Sequence, residues 1–538
     1  MKTKLKKLFI ILLTALVTLF STVSCNISFY KPSGASLEFT LTKSEVDSYL
    51  ETASQAERQL PSSQSRIAVT SYVNNLVNGL FYINEQFAIA QINYFTDMTV
   101  EKNKQNYNFA LTSANQARAS YKNAFKAVWL SNSPFKSDIF SGMSDDEVNA
   151  LFNAPSKVND LELEIDELTS EYLTFTSAEL QQKTGPIYAQ IVTKYNEIAT
   201  LTNFDNYYTY ASQLVYERDY EPNALNSMTN YVKTYIVPLY TKLHEDFYVA
   251  YSNLSNIDKQ TASDLISKPY NSFSANYISE YVSTLNTSSK TGMNDMFNSN
   301  NYVIATSNNA YDGAFTIKLQ HSKVPYCYFG PSYQDMFTVI HELGHYSADY
   351  NNPNQSIPLD VAEIHSQANE LLFLISLSNK LPDAIYKVLT LNCAIDAIRA
   401  IIASTIMNEF EMKVFKANVS NYTSADFDAI MTEVINDFGK NFLDNVFGVD
   451  LYNYWKRAII QQPCYYVSYA VSGITALGLY AEAVEGNVSY QNALIKYDNL
   501  ITADFSSGLT KTLNDVKISN PFSKDTYTKI LNAYYPKT

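Results

Sequence analysis

Two of the five histidines in the chain lie four residues apart in TVIHELGHYSADY (Thr338 to Tyr350), with a glutamate beside the first. On a helix, positions i and i+4 share one face, so His341 and His345 can direct imidazole nitrogens at one point while Glu342 projects beside it. Chance would give this pattern in well under roughly one chain in a hundred of this composition. The spacing therefore predicts a helical pair of metal ligands.

A third protein ligand should follow this pair, because a zinc site that keeps one position for water needs three. Glu363 in PLDVAEIHSQANELL is the best candidate, since the loop at 351–358 is rich in asparagine and proline and lets the chain return antiparallel to the first helix. The competing ligands on this segment are Asp360, His365 and Glu370. We expect one zinc ion per chain.

The elements that must position these side chains are mostly helices. The chain has 538 residues, 46% of them hydrophobic, and only 14 glycines, and it shows long helical periods with capping boxes at Thr42/Glu45 and Ser144/Glu147. Between residues 299 and 330, turn residues separate the short runs YVIAT, AFTIKL and VPYCYF, which predict a small sheet. We therefore predict a mostly α fold, with a helical region at 42–298 and, at 299–538, a catalytic region with a small sheet next to the zinc-binding helix.

The N-terminus MKTKLKKLFIILLTALVTLFSTVSC predicts an export signal over residues 1–24, because lysines precede an apolar run that ends in small residues. A small residue followed by cysteine resembles a bacterial lipoprotein signal, in which Cys25 carries the lipid; cleavage by an ordinary signal peptidase is the alternative. Residues 25–41 are expected to form a tether. No later segment is predicted to span a membrane, so we expect an exported protein at the bacterial surface or in the periplasm, anchored only through Cys25.

The charge balance limits the partners. The formal net charge is −14, and it becomes −18 once the four lysines of the signal are removed. Such an acidic chain should repel nucleic acid and anionic lipid. The three remaining cysteines are far apart in the sequence and indicate neither a disulfide framework nor a cysteine metal site.

Several stretches of the chain resemble the family of thimet oligopeptidase and oligoendopeptidase F. They are DMFTVIHELGH, VAEIHSQANELL and WKRAIIQQPCYYVSYAVSGITALGLYAEA, with GAF and LTNFDNYYTYASQLVYERDY upstream, and the resemblance extends over roughly residues 187–485. The two metal-motif segments are the most specific part. The resemblance implies a two-lobed helical shell around a deep substrate groove, with zinc on its floor and oligopeptides as substrates.

The resemblance also implies roles for individual residues. It assigns zinc to His341, His345 and Glu363, and the general base to Glu342. A phenol that stabilises the developing charge on the carbonyl oxygen is expected after a histidine, and the candidates are Tyr469 first, then Tyr465 and Tyr466. The family pairs a small sheet edge with the peptide backbone, and VPYCYFG is the expected counterpart.

One departure from the family pattern affects the expected activity. The family has a histidine just before the tyrosines, whereas this chain has Ile459 at the nearest position and no histidine after His365. Gln461 or Gln462 are the available replacements. The first hypothesis is a lipid-anchored zinc endopeptidase for short oligopeptides. The alternatives are a peptide-binding surface lipoprotein with a weakened site, and a structural helical protein with a chance motif.

Overall fold

The computed structural model describes residues 37–140, 143, 145–152, 156–269, 272–439, 448–457, 459, 463–485 and 487–536. The predicted signal, Cys25, most of the tether and Ser144 lie outside the described residues. Within the described ranges, helices dominate and the strands form one small sheet, which confirms the mostly α fold class. The capping box at Thr42 is also confirmed, since the Thr42 N–H donates to the Glu45 carboxylate over 2.8 Å and the Glu45 N–H donates to the Thr42 hydroxyl over 3.3 Å.

The helices before the sheet are, in chain order, α1 (Lys43–Gln59), α2 (Arg66–Thr96), α3 (Glu101–Trp129), α4 (Lys136–Ile139), α5 (Asp145–Phe152), α6 (Ser156–Leu173), α7 (Ser177–Leu201), α8 (Tyr207–Tyr210), α9 (Pro222–Tyr231), α10 (Val237–Ser252), α11 (Asn256–Ser267), α12 (Ser272–Thr284) and α13 (Thr287–Asn298). Two π-helical segments follow α8 and α9, at Ala211–Val215 and Val232–Ile236.

The helices after the sheet are α14 (Met336–Asn351), α15 (Leu359–Ser376), α16 (Asp383–Lys416), α17 (Ser424–Asp437), α18 (Val467–Ala483), α19 (Asn487–Ile501), α20 (Gly508–Val516) and α21 (Lys524–Tyr534). Two 3₁₀ segments lie among them, at Gly448–Arg457 and Phe505–Ser507.

The sheet contains β1 (Tyr302–Ile304), β2 (Ala314–Leu319) and β3 (Val324–Phe329) in the order β1-β3-β2. β3 pairs in parallel with β1 and antiparallel with β2. All three strands lie within the runs predicted from the sequence. The expectation that VPYCYFG forms the sheet edge is wrong, because every residue of β3 is buried and the strand lies at the centre. A fully buried apolar strand is suited to that central place, and the edge strands are β1 and β2.

The chain divides into two compact units, each drawn from separate stretches of the sequence. Unit 1 takes its described residues from Met1–Phe152, Ser263–Ile357 and Tyr497–Ser506. Unit 2 takes them from Asn153–Ala262, Pro358–Lys496 and Ser507–Thr538. The predicted division of the chain at residues 298 and 299 stays a prediction.

In unit 1, α1, α2 and α3 bury a shared apolar core that extends to Phe152 at the end of α5. The C-terminal half of α2 packs on the sheet, with Ala88 and Ile89 against Leu319 and Tyr328. Helix α14 packs against β2 and β3. The helix that carries the histidine pair is therefore supported directly by the sheet.

In unit 2, α18 packs against both α15 and α16. The contact is close where α18 carries Gly473, since a Cβ atom there would lie 2.7 Å from Cγ1 of Ile401 on α16. Of the described helices, α16 is the one long and apolar enough to cross a membrane, but 61% of its apolar window is buried inside the protein. The core helix of a soluble protein passes the same test, so this is weak support for a membrane span.

Candidate metal centre

Helix α14 carries the histidine pair and starts at a strong cap. The carboxylate of Asp335 accepts hydrogen bonds from the backbone N–H groups of Phe337 and Thr338 over 3.0 and 3.1 Å. Such a cap satisfies N–H groups that have no partner inside the helix. One and two turns further on, the rings of His341 and His345 lie with their centroids 5.0 Å apart, so the predicted i, i+4 geometry is present.

Helix α15 carries Glu363, and Pro358 stands at its N-cap position. The Glu363 side chain is buried, and the Ser366 hydroxyl lies 3.1 Å from its backbone oxygen and 3.5 Å from its Oε2. One ligand atom from each of His341, His345 and Glu363 lies within 4.8 Å of the other two. No other such group occurs in the described part of the chain. Two imidazole nitrogens and one carboxylate oxygen are the donor set that a catalytic zinc ion takes.

The competing ligands have other surroundings. The Tyr220 hydroxyl donates to Oδ2 of Asp360 over 2.6 Å, and Nε of Arg218 lies 3.4 Å from the same oxygen. His365 is fully buried, and neither His365 nor Glu370 belongs to the group of close ligand atoms. The structure thus places the predicted set together, and the assignment of a metal to it stays a prediction.

Glu342 is a buried carboxylate on α14, held by a strand of the same unit. The hydroxyl of Thr316 on β2 donates to Oε2 of Glu342 over 2.6 Å. Thr316 also faces Cys327 of β3, with its Oγ1 3.2 Å from Sγ. Sequence reasoning missed Thr316, because nothing in AFTIKL indicates that its threonine meets a side chain 26 residues away. The contact fixes one orientation of the Glu342 carboxylate.

The three candidate tyrosines fall into two environments. The hydroxyls of Tyr465 and Tyr469 are 2.7 Å apart, and the pKa values of both phenols are raised by burial and then by the negative charge of Glu363. The pKa of Tyr466 is raised by burial and then by Glu411. Of the three tyrosines, Tyr465 and Tyr469 are therefore the two whose pKa values are raised by the charge of Glu363. Both phenols are protonated at neutral pH.

Ile459, which stands at the position nearest to the family histidine, has a buried side chain and follows the 3₁₀ segment Gly448–Arg457. Gln461 and Gln462, the suggested replacements for the family histidine, lie outside the described residues.

No protein-family model matches the chain, and no curated protein matches it in sequence. Solved structures do match along almost its whole length. A proposed oligoendopeptidase F from Bacillus anthracis is 14% identical with a TM-score of 0.70, and the match covers 94% of this chain and 97% of that one. PZ peptidase A, solved with an inhibitor, is 16% identical with a TM-score of 0.72 over 92% and 97% of the two chains.

A further proposed oligoendopeptidase F is 15% identical with a TM-score of 0.69, and the match covers 92% of this chain and 97% of that one. At such low identity the likeness establishes the fold. The resemblance inferred from the motifs is thereby confirmed at this level, and the chain has the fold of the solved oligoendopeptidase F structures.

Proposed function

We propose that the chain is a zinc-dependent endopeptidase that hydrolyses short oligopeptides. The observation that carries the proposal is that one ligand atom from each of His341, His345 and Glu363 lies within 4.8 Å of the other two. The spacing of the two histidines, four residues apart on α14, matches the metal motif. Glu342, next to the first histidine, supplies a buried carboxylate. The matched structures named as oligoendopeptidases and as a peptidase support the same reaction class.

The residues present fit the proposed chemistry. Zinc held by the two histidines and Glu363 would act as a Lewis acid and would lower the pKa of its bound water toward neutrality. Glu342 takes the proton from the attacking water and passes it to the leaving amine. The Thr316 hydroxyl keeps the Glu342 carboxylate in one orientation for both transfers. The phenol of Tyr469 donates a hydrogen bond to the carbonyl oxygen as negative charge develops there.

The test is hydrolysis of a mixed library of peptides, roughly 6 to 15 residues long, by the purified protein, with bound zinc measured in each sample. Glu342→Gln should abolish turnover and retain zinc, and Glu363→Gln should lose zinc. Glu370→Gln makes the same chemical change on the helix of Glu363, outside the ligand group, and should retain both zinc and turnover. A Glu342→Gln protein that cuts peptides at the parent rate contradicts the mechanism.

A second candidate function is peptide binding with little hydrolysis. The observation that favours it is Ile459, a buried apolar residue where the resemblance expects a histidine donor. In that case the unmodified protein, here called the parent, binds one zinc ion and library peptides, and the peptides are recovered intact. Turnover at ordinary enzyme rates, about 1 per second or faster, rules this candidate out.

We also propose that the protein is exported and anchored through a lipid on Cys25. The support is the sequence alone: lysines, an apolar run and small residues precede the cysteine. Cells that express the parent should incorporate labelled fatty acid into the protein, and Cys25→Ser should abolish the label. Label in the Cys25→Ser protein would place the anchor elsewhere.

A further inference from the structure

Unit 2 contains a fully buried arginine, Arg218, that contacts the helix carrying Glu363. Its Nε lies 3.4 Å from Oδ2 of Asp360, and the side chains of both residues are at most 4% exposed. The Tyr220 hydroxyl donates to the same carboxylate oxygen over 2.6 Å. Asp360 precedes Glu363 by three residues on α15, so the two side chains lie on the same face of that helix.

The other end of the Arg218 guanidinium holds the segment that carries the tyrosine pair. Its Nη2 donates to the backbone oxygen of Cys464 over 2.9 Å and to the hydroxyl of Ser468 over 3.0 Å. The N–H of Cys464 donates to Oε1 of Glu411, which is also fully buried, over 2.8 Å. Buried ionisable side chains thus hold the N–H and the C=O of this one residue.

Cys464 has a backbone conformation that needs such support. Its φ of 65° lies in the left-handed region, which residues with a Cβ rarely adopt. A residue held there is strained and persists only when its surroundings fix it. The next residue is Tyr465, and Tyr469 lies in the first turn of α18. The direction of the chain at Cys464 therefore determines where both phenols lie.

The planar guanidinium suits this combination of contacts. Arginine presents five donors in a rigid fork, whereas the lysine ammonium is a compact point charge on a flexible stem. Arg218 donates hydrogen bonds through Nη2 to Cys464 and Ser468 while its charge pairs with Asp360 on the Nε side, and the cation lies 4.3 Å from the centre of the Tyr216 ring. A lysine at this position retains the charge and loses the fork.

We propose that Arg218 is a positioning residue, which fixes the left-handed turn at Cys464 and thereby sets the phenols of Tyr465 and Tyr469 relative to the helix of Glu363. The reaction that it serves is the peptidase activity proposed above, so its kinetic consequence rests on that function. Its structural consequence, an ordered turn before α18, is independent of activity and of metal.

The first arm of the test is hydrogen exchange in the metal-free protein, read from peptides that cover residues 463–472. Arg218→Lys should speed exchange there, at the Cys464 amide above all. The control is Tyr535→Phe, which removes a different hydrogen bond of the same unit, from the Tyr535 hydroxyl to Oδ2 of Asp246 over 2.6 Å. Both residues lie outside α15 and outside residues 463–472, so this control should leave local exchange in the segment at the parent rate. Unchanged exchange in Arg218→Lys overturns the proposal.

The second arm is a double-mutant cycle on the zinc-loaded enzyme, with Arg218→Lys and Tyr469→Phe made singly and together. A misplacement near 1 Å can cost about 100-fold, so Arg218→Lys should lower kcat up to roughly 100-fold with KM within about threefold of the parent. In the Tyr469→Phe background the same change should cost less than about threefold, because Tyr469, the one of the two positioned phenols that donates to the carbonyl oxygen, has lost its hydroxyl. Equal losses in both backgrounds overturn the proposal. A parent without turnover contradicts the proposed function alone, and the exchange arm then decides the role of Arg218.

Discussion

Removing one hydroxyl group tests how Glu342 is oriented. The Thr316 hydroxyl donates to Oε2 of Glu342 over 2.6 Å, and Glu342 is 4% exposed. Thr316→Val keeps the shape of the side chain and the preference for a strand while it deletes the donor. A hydrogen bond to a charged group contributes about 1.5–3 kcal/mol. If Glu342 needs this orientation to move the proton, kcat should fall by roughly 10- to 150-fold.

The assay is steady-state hydrolysis of one library peptide, with zinc content and the free energy of unfolding measured on the same samples. Thr316→Ser retains the hydroxyl and is the matched control; it should keep kcat within about threefold of the parent, well below the loss expected for a missing hydrogen bond. Bound zinc should be unchanged in both variants, because Thr316 is not a ligand. A Thr316→Val enzyme that holds zinc and retains the parent kcat would show that the strand does not orient the general base.

Three further outcomes test separate features. Tyr469→Phe should lower kcat about 100- to 1000-fold, the usual cost of one oxyanion donor. Tyr466→Phe should stay close to the parent, and steady-state kinetics distinguish the two. Burial raises the pKa of Glu411 to about 8. The folded state therefore keeps a proton that the unfolded state releases near pH 4.5. The stability of the parent should fall as pH rises between these values, and Glu411→Gln should remove this fall in urea unfolding at about pH 5 and about pH 9. Lys318→Met should cost about 3–5 kcal/mol by leaving the Asp349 charge buried without its partner at 2.8 Å. The double change Lys318→Met/Asp349→Leu should recover only part of that loss in the same assay, because the Lys318 ammonium also donates to the backbone oxygens of Asn352 and Gln355 over 2.9 and 3.3 Å.

The sequence predicts those features that depend on residues close together along the chain. The spacing of His341 and His345 and the alternation of turns with apolar runs between residues 299 and 330 are local patterns, and the structure has the helix and the strands at those places. The position of β3 at the centre of its sheet is not local. It follows from pairing with two other strands, and a run of six apolar residues indicates burial without indicating which neighbours cover it.

Contacts across long stretches of sequence could not be predicted. Arg218 meets Cys464 across 246 residues, and its sequence context YERDY is typical of a polar surface turn. Glu411 is one of four acidic residues in the long helix α16, and nothing in the sequence indicates which partner it has. The sequence also gives no indication of the left-handed backbone of Cys464, since glycine and asparagine are the residues that usually indicate that conformation.

The buried charges of unit 2 also bear on why the fold keeps them. Burying an ion pair such as Arg218 and Asp360 costs several kcal/mol per ion, and apolar residues of similar volume often give equal or greater stability. Stability alone therefore does not account for this cluster. Apolar side chains cannot accept a hydrogen bond from the Cys464 N–H, donate one to its C=O, or form an ion pair with α15. They therefore cannot fix the distance between the strained turn and the helix of Glu363. Because a phenol stabilises a developing charge only at hydrogen-bond distance, the precision of that spacing determines the rate, and we infer that the cluster is retained for geometry.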